Sequence, residues 1–353
     1  MSAELAPERV LRHYLRTPDP SVPAGGWHVR WDRLSPTERS ELLRSEVPDR
    51  VAVRTSGSTG EPREWTRTRD QLLDEAVVLA GLWHDSPVGL TLAFAPPSHL
   101  YGLLTTLVLP AVLGVPVWYQ PGLDAPPAEV AGRVLGVTAI PWTFRLLERH
   151  RDVLAGAAEI AILHSTATLP PGADAVAAAL GPERVRVTEI FGSTESGGIA
   201  HRRDRDRPWT LFDDVTVLHD GTAGEVPLVV SGPRLAEGLT TWGTDDFVEL
   251  LDDRHFRFHG KRHRLRKING VRVHLDDVEH RLRDAVPCED VACVAVDDAV
   301  RGENFTVLVV PAAPAPPNLS SSVRVALKSW GLAPHDVRIV STIDRSETGK
   351  TRG

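Results

Sequence analysis

Cysteine is almost absent from this chain of 353 residues, which contains Cys288 and Cys293 alone. Two cysteines cannot form a disulfide scaffold, and no pair of histidines lies near them to complete a metal site, so we interpret both as packing residues. The chain also lacks an excess of positive charge, since 40 lysines and arginines stand against 47 acidic residues, for a net charge of −7. This balance argues against a protein that coats nucleic acid or an anionic membrane.

Long apolar runs are missing as well. The stretch between Asp85 and Asp124 has no formal charge, but prolines and glycines divide it into pieces too short to cross a bilayer. The segment Met1–Thr17 carries several charged side chains and no apolar core of a signal sequence. Together with the low cysteine content, these absences predict a cytoplasmic protein with no membrane partner.

Short β-rich runs alternate with helical patterns through the first part of the chain. The predicted strands are Leu90–Ala95, Pro116–Gln120, Val137–Ile140, Glu159–His164 and Arg184–Ile190, and the predicted helices are Tyr101–Leu113, Ala128–Leu135, Trp142–Arg149 and Gly172–Leu180. Strands that are apolar on both faces and separated by helices predict an α/β fold with a mostly parallel sheet. Ligands bind beyond the carboxyl ends of such strands. The loops of interest are therefore Pro96–Gly102, Pro141–Phe144, Ser165–Leu169 and Phe191–Gly198.

The pattern of the sequence changes near Val215. Four short β runs, separated by Gly, Pro and Asp-Asp turns, predict an antiparallel, β-rich subdomain there. A compact α+β unit follows, with helices expected at Asp276–Ala285 and Ser322–Trp330. We therefore predict a large N-terminal domain over residues 1–260 and a small C-terminal domain over residues 261–353.

The strongest local signal is the run Thr55–Arg63, which reads TSGSTGEPR. Its glycines allow close backbone approach, and successive N–H groups with four hydroxyls suit the phosphates of a nucleotide. A plain Ser/Gly linker is the alternative, but a predicted short strand before the run and a predicted helix after it disfavour that reading. The run is not a Walker loop, because its lysine is missing.

Several further motifs follow in a fixed order. They are Pro96–Gly102 (PPSHLYG), Phe191–Glu195 (FGSTE), Gly224–Gly238 (GE…GP…G), Trp242–Asp246 (WGTDD), Gly260–Gly270 and Thr348–Lys350 (TGK). With the TSGSTG run, this set resembles the adenylate-forming superfamily of acyl-CoA and aryl-CoA ligases, peptide-synthetase adenylation domains and luciferases. The resemblance covers roughly residues 50–353 and implies a fold of a large domain plus a small, mobile C-terminal domain.

The resemblance implies roles for individual residues. The nucleotide would be held by a set of polar and small residues: Thr55, Ser56, Gly57, Ser58, Thr59, Gly60, Arg63, Thr166, Ala167, Phe191, Gly192, Asp246 and Lys261. Within this set, Asp246 would bind the ribose hydroxyls, which suits a carboxylate because it accepts two hydrogen bonds. Thr194 would hold a phosphate, and Glu195 would hold Mg²⁺, a cation that prefers oxygen ligands.

Lys350 is the residue that the resemblance assigns to the chemical step. A carboxylate that attacks the α-phosphate develops negative charge, which an ammonium aimed at that point stabilises. His99 would lie beside the acyl pocket. In the family the C-terminal domain delivers this lysine and then rotates about a hinge aspartate, a position that His263 occupies here.

The chain departs from the family pattern in several respects, among them Arg63 in place of the usual lysine and Lys261 in place of an arginine. About 54 residues precede the TSGSTG run where the family has ~100 or more, so part of the shield of the acyl pocket is expected to be missing. A homodimer partner or a shallow site would take its place. Asp245 replaces a glycine and adds negative charge near the expected ribose position, and His263 replaces the hinge aspartate.

We therefore predict an enzyme that uses ATP and Mg²⁺ to convert a small carboxylic acid, aryl or short unsaturated, into an acyl-adenylate. Transfer to the thiol of CoA or of a carrier protein would follow. One alternative is activation of nitrite for the diazotisation of an aryl amine, and another is a degenerate nucleotide-binding partner protein. The run His201–Arg207 is either a solvated charged loop or a patch for a phosphopantetheine-bearing partner.

Overall fold

The computed structural model describes residues 2–55, 63–122, 124–166, 169–170, 172–221, 224–268, 271–298, 302–312 and 317–344. The chain forms two compact units, one made of residues 1–216 and 230–242 and the other of residues 217–229 and 243–353. The domain boundary predicted between residues 260 and 261 differs from this division into units, and it stays a prediction.

The first unit contains eleven of the described strands and eight of the described α-helices. The strands are β1 (Ala3–Glu4), β2 (Trp27–Val29), β3 (Arg50–Arg54), β4 (Glu64–Thr68), β5 (Leu90–Ala93), β6 (Val117–Tyr119), β7 (Val134–Ala139), β8 (Glu159–His164), β9 (Val185–Ser193), β10 (Gly197–Arg202) and β11 (Trp209–Leu211). The helices are α1 (Pro7–Leu15), α2 (Pro36–Glu46), α3 (Arg69–Gly81), α4 (Leu100–Gly102), α5 (Leu109–Leu113), α6 (Thr143–Arg149), α7 (Arg151–Leu154) and α8 (Gly172–Leu180).

One large sheet organises this unit in the order β1-β2-β6-β5-β7-β8-β9-β10-β11. The central strands from β6 to β9 are parallel, whereas β10 pairs antiparallel with both β9 and β11. Every residue of β5 is buried, as expected for a parallel strand covered by helices on both faces. The predicted α/β class is therefore confirmed, and β5, β7 and β8 direct their carboxyl ends to one edge.

The helix predicted at Ala128–Leu135 is wrong. Only a single 3₁₀ turn forms at Ala128–Val130, and β7 already begins at Val134. Gly132 explains the break, because its φ of 70° is left-handed and its N–H donates to the carbonyl of Gly156 at 2.7 Å. The apolar residues after it pair with β5 and β8 instead of continuing a helix.

The helix predicted at Tyr101–Leu113 forms with an irregular centre. Residues Leu103–Val108 adopt π-helical turns between α4 and α5. Pro110 lacks an N–H and crowds the preceding turn, which disfavours regular α-helical bonding there. At the start of this run, Gly102 lies so close to the carbonyl of Pro96 that a β-carbon would collide with it.

The second unit combines an antiparallel ladder with a small α+β core. Its elements are β12 (Thr216–Val217), β13 (Glu225–Ser231), β14 (Trp242–Leu250), β15 (His255–Lys261), β16 (Leu265–Ile268), β17 (Val271–His274), α9 (Leu275–Ala285), β18 (Cys288–Asp298), β19 (Gly302–Pro311), α10 (Leu319–Ser329) and β20 (Asp336–Ile339). Strands β12 to β15 neighbour one another in that order, and β18, β19 and β20 form a separate sheet.

The helices α9 and α10 contribute to one apolar core of the second unit, with Phe305 and Val307 of β19 fully buried in it. Cys293 belongs to the same core, and Cys288 packs against it. Both cysteines are free thiols. Among the residues that the structure describes, no helix is long and apolar enough to cross a membrane.

The start of α3 offers a test of the first unit. Thr68 Oγ1 accepts a hydrogen bond from the Gln71 N–H, and Gln71 Oε1 accepts one from the Thr68 N–H, so the two residues form a capping box. Loss of such a cap costs about 1 kcal/mol. We expect Thr68→Ala to lower the free energy of unfolding by this amount in urea titrations, whereas Thr68→Ser should retain it. Equal stability of the two variants would contradict this role.

Candidate active site

The hairpin of β3 and β4 carries the TSGSTG run. Thr55 and Arg63 close its neck, because the Thr55 N–H donates to the Arg63 carbonyl at 2.9 Å and the Arg63 N–H donates to Thr55 Oγ1 at 3.2 Å. Strand β4 is absent from the prediction, although Trp and Thr in alternation favour a strand there. The predicted ligands Ser56, Gly57, Ser58, Thr59 and Gly60 lie outside the described residues.

Thr194 and Glu195 lie at the tip of the hairpin between β9 and β10. Two serines brace this tip, since the Ser193 N–H donates to Ser196 Oγ at 3.1 Å and the Ser196 N–H donates to Ser193 Oγ at 3.2 Å. Gly197 turns the chain with a φ of 70°. Both tip residues are half-buried, so their side chains remain accessible to a ligand.

A buried ion pair lies beneath this tip. Arg67 of β4 is 0% exposed, and its Nη2 contacts Glu75 Oε2 of α3 at 2.8 Å. Its Nη1 donates to the carbonyl of Thr194 at 3.2 Å and to that of Glu195 at 3.4 Å. Burial lowers the pKa of the Arg67 guanidinium and the Glu75 carboxylate opposes the shift, but an arginine stays protonated under these conditions.

The same carboxylate reaches two further segments. Glu75 Oε1 accepts a hydrogen bond from the Gly198 N–H at 2.7 Å and lies 3.5 Å from Nη1 of the buried Arg234. Arg234 in turn forms a bidentate pair with Asp214, at 2.6 and 2.7 Å. A network of charged side chains therefore joins the β9–β10 hairpin to residues 232–238, which end the GE…GP…G motif and are called the GP segment below.

The GP segment also forms hydrogen bonds with α3, with β4 and with the tip of the β9–β10 hairpin. Gln71 Nε2 donates to the carbonyls of Pro233 and Leu235, at 2.9 and 2.7 Å. The Ala236 N–H donates to the carbonyl of Glu195 at 2.8 Å, and the Glu237 N–H donates to that of Thr66 at 2.9 Å. The structure thus brings the FGSTE motif and the GP segment together with β4 and α3, which follow the TSGSTG run more than 100 residues earlier in the sequence.

The remaining predicted residues of the first unit follow strands of the parallel sheet. The Phe191 ring packs against Trp209 with centroids 5.3 Å apart, and Gly192 follows it in β9. Thr166 lies beyond the end of β8 with a φ of 84°, a strained backbone for a non-glycine residue, while Ala167 lies outside the described residues. His99 precedes α4, and its carbonyl accepts the Leu103 N–H at 2.7 Å.

Asp246 and Lys261 belong to the second unit and face each other across β14 and β15. Asp246 Oδ1 lies 3.7 Å from Lys261 Nζ, and it has no hydrogen-bond partner among the described residues. Burial raises the pKa of the Asp246 carboxyl, while Lys261 and a hydrogen bond from Thr244 oppose the rise. A buried carboxylate oxygen with free acceptor capacity fits the ribose hydroxyls that the sequence predicts for it.

The chemistry of Glu195 fits a divalent cation. Its carboxylate interacts electrostatically with the Arg67 guanidinium. Within the described part of the chain the carboxylate makes no hydrogen bond and no salt bridge, so its oxygens can bind a hard cation that shares phosphate ligands. Lys350 lies outside the described residues, so its role stays a prediction.

Ion pairs satisfy the charged run predicted at His201–Arg207. Arg202 contacts Glu189 at 2.6 Å, Arg203 contacts Asp85 at 3.0 Å and Arg205 contacts Asp174 at 3.4 Å. The prediction of a solvated loop does not hold for His201 and Arg202, which end β10 and are half-buried, whereas residues 203–207 form a charged turn.

The chain is similar in sequence to several curated proteins. No family model matches the chain. It is 31% identical over 179 residues to a 4-coumarate–CoA ligase of Cereibacter sphaeroides, an alignment that covers 48% of this chain and 41% of that enzyme. It is 27% identical over 353 residues to a 4-coumarate–CoA ligase of Halorhodospira halophila, across 90% of this chain and 81% of that enzyme.

Solved structures share the fold. ATP-bound MatB from Rhodopseudomonas palustris superposes with a TM-score of 0.70 at 18% identity, over 85% of this chain and 66% of that chain. The anthranilate–CoA ligase AuaEII, in complex with anthranoyl-AMP, gives 0.66 at 17% identity, over 85% and 65%. The chain thus spans about two fifths of the first curated relative and just under two thirds of these solved chains.

The fold and the assembled motifs define an α/β protein with its site at the carboxyl edge of a mostly parallel sheet. Curated relatives aligned over most of the chain are named 4-coumarate–CoA ligase, and the solved neighbours share its fold. These likenesses agree with the resemblance to the adenylate-forming superfamily that the motifs carry.

The raised pKa of Asp246 gives a test of the ribose site. Burial penalises the charged carboxylate of the folded state, so wild-type stability falls as pH rises from the ordinary value of 3.8 through the raised pKa. We expect Asp246→Asn to raise the free energy of unfolding at pH 7 and to have no such effect at pH 3, measured in urea.

The same variant should bind ADP more weakly by about tenfold or more, because an amide offers one acceptor oxygen in place of a carboxylate. Asp245→Asn is the matched control, and we expect it to lose no affinity for ADP in calorimetric titrations. Loss of stability without loss of ADP binding in Asp246→Asn would show that Asp246 is a structural residue.

Proposed function

We propose that this protein activates a small carboxylic acid with ATP, forming an acyl-adenylate and pyrophosphate. The observation that carries the proposal is a link between the FGSTE motif and the strand that follows the TSGSTG run: Arg67 on that strand bonds the carbonyls of Thr194 and Glu195. A phosphate loop and a cation-binding turn must lie together to hold one triphosphate, and this link supports that arrangement.

In the proposed step, an oxygen of the substrate carboxylate forms a bond to the α-phosphorus of ATP, and the bond from that phosphorus to the bridging oxygen of pyrophosphate breaks. The Thr194 hydroxyl donates a hydrogen bond to a phosphate oxygen, and the Glu195 carboxylate holds Mg²⁺. When bound, this cation neutralises charge on the phosphates. The Lys350 ammonium stabilises the charge that develops at the α-phosphate.

The second step transfers the acyl group to a thiol. The sulfur of CoA or of a carrier protein forms a bond to the acyl carbon, and AMP leaves with the oxygen that joined it to that carbon. Curated relatives named 4-coumarate–CoA ligase and a fold neighbour named anthranilate–CoA ligase support an aryl or short unsaturated acid.

Pyrophosphate release tests the proposal. The wild-type protein is supplied with Mg·ATP and a panel of aryl, short unsaturated and aliphatic acids, and we expect release that depends on one class of acid. Release that requires nitrite and an aminoaryl acid would replace the proposal with the diazotisation alternative. ATP binding without turnover on any acid would support the degenerate partner protein instead.

Lys350→Ala should slow acid-dependent pyrophosphate release by about 10²–10³-fold, since one preorganised charged donor at the transition state is worth about 3–4 kcal/mol. Lys328→Ala is the matched control, because it removes an exposed lysine of α10. We expect its rate to equal that of the wild type, and equal rates for both variants would refute the role of Lys350.

A further inference from the structure

Arg67 is an unusual residue for the middle of a strand. Its side chain is 0% exposed, and its partner Glu75 is 3% exposed. Taking two charges out of water is costly, and a buried ion pair often stabilises a fold less than apolar side chains of equal volume would. The stability of the first unit alone therefore gives no reason to place a full charge here.

The contacts of the pair converge on the tip of the β9–β10 hairpin. Arg67 bonds the carbonyls of Thr194 and Glu195 on one side of the tip, and Glu75 bonds the Gly198 N–H on the other side. Gly197, between these contacts, approaches the pair so closely that a β-carbon would collide with both charged groups. The ion pair of Arg67 and Glu75 thus contacts the backbone of the tip on both sides.

These contacts hold the backbone of Thr194 and Glu195, the two residues proposed to bind the nucleotide and its cation. Oxygen ligands bind Mg²⁺ at a distance of about 2.0–2.1 Å, so a small displacement of a carboxylate weakens its binding of the cation strongly. Guanidinium is suited to this task because its planar fork bonds several acceptors in fixed directions, which an ammonium cannot do.

We propose that Arg67 and Glu75 are positioning residues, which hold the backbone of Thr194 and Glu195 so that the Glu195 carboxylate binds the divalent cation of the nucleotide complex. The inference rests on the proposed function, since it assigns the cation to Glu195. It extends that function to a pair that no motif of the series contains.

The test measures cation binding without turnover. Mn²⁺, which replaces Mg²⁺ and is detected by electron paramagnetic resonance, is titrated into protein with a non-hydrolysable ATP analogue. We expect Arg67→Met to weaken Mn²⁺ binding about tenfold or more, and Arg67→Lys to weaken it less, because lysine keeps the charge but loses the fork. The affinity for the analogue measured without cation should change less than twofold.

Leu11→Ala is the matched control for lost stability. Leu11 is fully buried in α1, so its truncation destabilises the first unit without a contact to the tip. We expect Leu11→Ala to bind Mn²⁺ as the wild type does. A second readout is the Mg²⁺ concentration that gives half-maximal pyrophosphate release, which should rise in Arg67→Lys and stay unchanged in Leu11→Ala.

The outcomes separate this inference from the proposed function. One outcome is that wild-type protein binds Mn²⁺ with the analogue and that both Arg67→Lys and Arg67→Met bind Mn²⁺ as tightly as the wild type. The positioning role is then overturned, while the proposed function stands. If Arg67→Met does not fold, Arg67→Lys decides alone. If wild-type protein shows no Mn²⁺ binding with the analogue, the proposed function fails, and with it the assignment of the cation to Glu195.

Discussion

The ion pair between Arg67 and Glu75 is the interaction on which the architecture of the candidate site depends. It lies where β4, α3 and the β9–β10 hairpin meet, and Arg234 extends it to the GP segment. Hydrophobic packing builds the sheet, but it does not fix the direction of a surface turn. Directional bonds from a buried guanidinium do, which explains how residues separated by more than 100 positions share one rigid base.

Much of the fold could be predicted from the sequence because its strongest patterns are local. The apolar runs of β5 and β8 form within their predicted ranges, and β7 forms but begins at Val134, three residues before the predicted start at Val137. Burial on both faces leaves a clear apolar run in the sequence, and α3 forms where a helix is predicted after the TSGSTG run. The helix expected at Ala128–Leu135 fails because a single left-handed glycine overrides helical propensity. Strand β4 has no apolar residue at a buried position, since the one side chain that it buries is that of Arg67, so its pairing with β3 decides it.

Some residues of the candidate site could likewise be predicted from the sequence, and others could not. Thr194, Glu195 and Asp246 could be placed from motifs, and Asp246 has a buried oxygen that lies near Lys261 but accepts no hydrogen bond from the described residues, which suits a ligand. Arg67 and Glu75 could not be found, because a charged residue in a polar strand and another in a helix carry no local signal of burial. Only the three-dimensional arrangement shows that each needs the other.

A double-mutant cycle on the ion pair tests this account most directly. Free energies of unfolding would be measured in urea for Arg67→Met, Glu75→Gln and the double variant. Removal of either partner leaves the other charge or its acceptors buried without compensation. We therefore expect the sum of the losses of unfolding free energy in the two single variants to exceed the loss in the double variant by about 1–3 kcal/mol. Losses that simply add, within about 0.5 kcal/mol, would show that the two side chains act independently and would contradict the account.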